Sequence, residues 1–101
     1  MLAEIKPGNM QAHVGTPFEV LEHAAGPFSL IFTGVDEQVR TERQEIFSLN
    51  FHGPASPALR QGIYKLKHAQ LGEFELFLVP IARDKDGFQY EAAFNNIIGA
   101  A

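Results

Sequence analysis

Histidine is the side chain best suited to hold a metal or move a proton near neutral pH, and the chain has four: His13, His23, His52 and His68. A shared metal would need two or more of them within a few ångströms of one ion. His13 lies in a polar N-terminal segment and His23 on the outer side of a predicted helix. His52 and His68 close two strands that read as neighbours, but their parity differs. His68 shares a face with Tyr64 and Leu66, which looks inward, whereas His52 shares the polar face of Ser48 and Asn50. Asp84-Lys85-Asp86-Gly87 opens like a calcium loop but lacks the third close ligand and the distal bidentate Glu of a tight site, and reads as a turn. Ser29, Ser48 and Ser56 stand in no Gly-x-Ser-x-Gly setting, no glycine-rich loop precedes the predicted helix, and cysteine is absent. Glu73, Glu75 and Glu91 could act as general acids only if gathered in a pocket, and alternation turns each of them outward. These patterns predict no catalytic residue, no metal ligand, no cofactor-binding residue and hence no cofactor.

The elements that must position these side chains follow from period and punctuation. Thr16-Pro17-Phe18-Glu19 joins a capping Thr, a Pro suited to the first helical position and a Glu where a capping box places its carboxylate. Phe18, Leu21 and Ala25 fall on one stripe and Gly26-Pro27 ends it, which predicts a short helix over 17–25. After Pro27 the period becomes 2. It predicts strands over 28–34, through Phe47, Leu49 and Phe51, over Gly62–His68, over Glu73–Ile81, and through Phe88, Tyr90, Ala92 and Phe94. Asp36-Glu37-Gln38, 69–72 and Asp84-Lys85-Asp86-Gly87 read as turns, and 53–57 cannot be strand interior because its prolines lack a ladder donor. Short links between consecutive strands imply antiparallel pairing. The expected fold is mainly β: a five-stranded antiparallel meander forming a small barrel or curled sheet, with one short N-terminal helix over an open end or edge. The expected organisation is an arm over 1–15, one β-domain over 16–96 and a tail over 97–101.

Composition excludes several roles. With 101 residues, 46% of them hydrophobic, a chain can bury about 65% of its surface, enough for one core without disulfides or metals. The net charge of −4 and the strand spacing of eight of the nine Phe make these rings core aromatics, not a platform for bases, so no nucleic-acid partner is expected. No apolar run approaches the ~20 residues of a membrane-spanning helix, so no membrane insertion is expected. The first fifteen residues carry neither a basic n-region nor an apolar core, which predicts a cytoplasmic protein.

Three runs read like a consensus: Phe47-Ser48-Leu49-Asn50-Phe51-His52-Gly53-Pro54, Leu59-Arg60-Gln61-Gly62-Ile63-Tyr64, and Leu71-Gly72-Glu73-Phe74-Glu75-Leu76-Phe77-Leu78-Val79-Pro80, closed by Tyr90-Glu91-Ala92-Ala93-Phe94-Asn95. Over about 16–96 the chain resembles a family of small bacterial domains of unknown function. The resemblance brings no catalytic residues, and implies a place in a phage-tail-like or surface-associated bacterial assembly.

Phe77-Leu78-Val79 is apolar on both faces, and Ile31-Phe32 and Ile46-Phe47 are partly so. A one-sided strand should alternate, so a second cover is required. Ile31, Ile46, Phe77 and Val79 are therefore the predicted interface of a homo-oligomer or larger protein assembly. The link 53–61, with two prolines, is longer and stiffer than a meander needs. The leading expectation is a non-enzymatic structural or interaction module. The rival is a small-ligand-binding β-barrel with Tyr64, His68, Phe74 and Tyr90 lining its pocket.

Overall fold

A computed structural model describes residues 7–24 and 26–97. Six strands form one antiparallel sheet: β1 (Pro17–Val20), β2 (Phe28–Arg40), β3 (Gln44–Pro54), β4 (Gly62–His68), β5 (Gly72–Asp84) and β6 (Gly87–Ile97). Their spatial order is β1-β2-β3-β6-β5-β4, and β4 pairs back onto β1, so the sheet closes in a ring.

The segment 17–25 is not the predicted helix. Pro17–Val20 is the strand that closes the ring, with Phe18 and Val20 buried and Pro17 and Glu19 facing out. Period 2 over these four residues is satisfied by partners on both sides, Phe18 against Leu30 and Val20 against both Phe28 and Leu66. Capping signals are local and yield to two flanking ladders; Pro17 stands at the first strand residue, where a missing donor costs least. Glu22 then takes φ 56°, turning the chain away from the strand path. Ala25, the last residue of the predicted stripe, lies outside the described residues. The only helical structure among the described residues is one turn over Pro7–Met10 running into a 3-10 turn over Gln11–His13, inside the expected arm. Met10 is fully buried, so this part of the arm is packed on the sheet.

The sheet has six strands, not five, and it is not a simple meander. β3 pairs with β6 along its full length from Gln44 to Pro54, while β4 pairs with β5 and β1. The stiff link after β3 carries the chain across one end of the ring. Leu59 is buried there, and its N–H donates to the Tyr90 hydroxyl oxygen at 2.8 Å. β2 runs on through the predicted turn at 36–38 to Arg40, and the reversal falls at Thr41, whose hydroxyl oxygen accepts the N–H groups of Arg43 and Gln44. Asp36 to Arg40 are exposed, so strand structure there rests on the β3 ladder and leaves no apolar alternation to read.

Inward side chains fill the interior. Phe18, Phe32, Phe47 and Phe51 are fully buried, with Leu30, Leu49, Leu66 and Leu78 between them. Burying each such side chain contributes about 1.5–3 kcal/mol, and the edge-on contacts of Phe18 with Phe32, Phe51 and Phe74 add directional preference.

Candidate functional site

His68 ends β4 and is only 4% exposed. Its Nδ1 accepts the N–H groups of Gln70 and Leu71 at 3.1 and 3.2 Å, which fixes that nitrogen as the unprotonated one. The ring proton therefore sits on Nε2 and donates to the Thr16 hydroxyl oxygen at 2.9 Å, while that hydroxyl donates onward to the His13 carbonyl. The chain of bonds ties the β4–β5 turn to the segment entering β1. Burial pushes the imidazole pKa below its ordinary value, and the neighbouring His13 ring, 4.8 Å away, pushes it the same way. A neutral imidazole with both nitrogens engaged positions backbone and has no free lone pair for a metal. Thr16 is the partner that sequence reasoning missed, because its capping signal pointed to a helix.

Of the four residues of the predicted pocket, three are buried in the core and one is half-buried. His68, Phe74 and Tyr90 are buried in the packed core, and Tyr90 spends its hydroxyl oxygen on Leu59. Tyr64 is half-buried toward the other end of β4, donates to the Arg60 carbonyl at 2.6 Å, and lines a surface hollow of about 350 Å³ with Leu21, His23 and Ile63.

His52 lies on the outer side of β3, 3.2 Å from Asp84, whose Oδ1 also accepts the N–H groups of Asp86 and Gly87. The hydrogen bond from His52 holds the Asp84 carboxyl below its ordinary pKa. These contacts make the Asp84–Gly87 segment a side-chain-capped hairpin turn. Among the described residues no group of three or more His, Cys, Asp or Glu could hold a metal ion, and no helix is long and apolar enough to cross a membrane.

The outer face of β4 and β5 is where apolar side chains meet water. Ile63 stands directly opposite Phe77, and they are 69% and 49% exposed; along β5 follows half-buried Val79, and Ile81, 50% exposed, stands at the register shift between Pro80 and Ala82. Below the Ile63–Phe77 row come Lys65 opposite Glu75 and Lys67 opposite Glu73. Of the four predicted interface residues, this face joins Phe77 and Val79. Ile31 is on β2, three places round the ring from β5, and Ile46 is on β3 between Val39 and Asn95. Ile63 and Ile81 were not singled out in the sequence, although Ile63 keeps the parity of Lys65 and Lys67 and so was readable as outward.

Residues 5–94 match the profile of a family described as Domain of unknown function (DUF6916). No curated protein and no solved structure matches the chain.

Proposed function

From the premise that the chain belongs to the DUF6916 family, we propose that it is a non-enzymatic interaction module, a small β-barrel whose outer β4–β5 face associates with a second copy of the chain. The observation that carries this reading is the row of Ile63, Phe77, Val79 and Ile81 on one outward face. Single exposed apolar side chains are ordinary, whereas a contiguous group on one face marks an interaction surface. A second copy fits because two rows beside the apolar one each set a lysine opposite a glutamate, Lys65 with Glu75 and Lys67 with Glu73, and an isologous contact requires such self-complementarity.

Light scattering on three proteins tests it: wild type, Phe77→Ser and Ile31→Ser. The wild type should be dimeric at micromolar concentration, Phe77→Ser should move toward monomer with its β-sheet circular dichroism intact, and Ile31→Ser, on the far side of the ring, should stay dimeric. A wild type monomeric throughout would overturn the reading and return the face to docking on a different partner, such as a larger bacterial assembly. A Phe77→Ser protein as dimeric as the wild type would also overturn it.

A further inference from the structure

We propose that the second copy docks about a twofold axis lying along the seam between β4 and β5, so that each β4 lies over the partner's β5; this rests on the reading of the β4–β5 face as the interface. Three rows cross that seam on the outward face: Ile63 opposite Phe77, Lys65 opposite Glu75, and Lys67 opposite Glu73. Residues directly opposite in an antiparallel pair point the same way, so each row presents both members to an arriving surface.

Rotation by 180° about an axis along the seam exchanges the two strands and keeps height along them. Each row then meets its own reverse. Ile63 faces the partner's Phe77, Lys65 the partner's Glu75, and Lys67 the partner's Glu73, allowing for the ~30° by which twisted sheets cross when they stack. A twofold axis crossing the strands at the Lys65–Glu75 row does the opposite. It sets Lys65 on the partner's Lys65, Glu75 on the partner's Glu75, and both apolar side chains on charges. Like-charge contacts of that kind are disfavoured at an interface.

Of these charges, Lys67, Glu73 and Glu75 are available for pairing between subunits, and Lys65 would have to exchange Glu22 for the partner's Glu75. Lys65 is already turned aside to Glu22, at 3.2 Å, and not to its cross-strand neighbour Glu75. Among the described residues Lys67, Glu73 and Glu75 make no ion pair within the chain. Glu73 and Glu75 are exposed, as is Lys67.

The test is a charge-swapped mixture of full-length proteins. One variant carries Lys65→Glu with Lys67→Glu, the other Glu73→Lys with Glu75→Lys, and each is checked for β-sheet circular dichroism before sedimentation. Alone, each variant sets like charges across the seam and should be monomeric where the wild type is dimeric; mixed one to one, they should dimerise at least tenfold more tightly than either does alone. Should a double variant fail to fold, the single changes Lys67→Glu and Glu73→Lys carry the same test, each weakening the dimer and their mixture restoring it. Disulfide trapping fixes the axis, since only the seam axis brings Lys67→Cys of one copy onto Glu73→Cys of the other; folded charge variants that dimerise alone as well as the wild type, a mixture that stays monomeric, or a dimer that does not form this cross-link would overturn the seam axis. Loss of dimer in Phe77→Ser would still stand in that case, so failure of the axis and failure of the interface are separate results.

Discussion

Protonating His68 would cost the fold two hydrogen bonds at once. Nδ1 accepts two backbone N–H groups, and a proton placed there ends both and adds a buried charge beside His13. The folded-state pKa is lowered from the ordinary 6.5, so the unfolded chain takes up the proton first. Stability is complete above about 6.5 and falls as pH drops from there toward the depressed folded value. Urea unfolding should show this loss as pH falls below about 6.5. His68→Asn should flatten that slope while lowering stability at pH 7.5 by about 1–3 kcal/mol; an unchanged slope would contradict the assignment. Asp84 acts in a separate, more acid window, since its carboxyl is held low by His52 and the stability it adds is lost only below the ordinary carboxylate range. The inward parity of His68 was legible from its spacing to Tyr64 and Leu66. Its partner Thr16, fifty-two residues away, was not, because no local pattern encodes a contact made by ring closure.

Strand parity is the property of the elements that sequence reveals best. Leu49 is fully buried opposite Ala92, and Asn50, one position on, is half-exposed. Leu49→Asp should cost on the order of 4 kcal/mol or more and abolish cooperative unfolding, whereas Asn50→Asp should stay within about 1 kcal/mol of wild type in the same thermal melt. Similar behaviour of the two would mean that the face of β3 is misassigned. Close backbone approach is less legible. A side chain on Gly87 would overlap the Gly53 carbonyl oxygen across the β3–β6 ladder, while one on Gly53 would lie 2.5 Å from a Leu30 methyl. A methyl can shift and a paired backbone cannot, so Gly87→Ala should lower the melting temperature more than Gly53→Ala, the latter costing about 1–3 kcal/mol. The reverse order would show that the Leu30 side is the more rigid. Element type failed at one place. Phe18 and Val20 satisfy a period of 2 and Phe18 and Leu21 a helical one, and over so few residues the distinction is decided by the neighbours β2 and β4.

At the scale of the whole molecule, the antiparallel sheet was legible from short links and alternation, but the strand order was not. The pairing of β3 with β6 joins residues up to 53 positions apart, Gln44 with Ile97, and only the stiffness of the 53–61 link hinted that β3 and β4 part company. The two-faced apolar strand was legible as well. Ring closure then separates Ile31 and Phe77 by half the circumference, so the apolar residues beyond the core divide among faces and one face, that of β4 and β5, gathers Ile63, Phe77, Val79 and Ile81. The central claim is that this face binds its own copy, and sedimentation equilibrium of the wild-type chain from micromolar to hundreds of micromolar tests it most directly. The mass should rise with concentration to that of two chains and stop there, as a closed twofold contact requires. A mass of one chain across the whole range would contradict it, as would growth without limit.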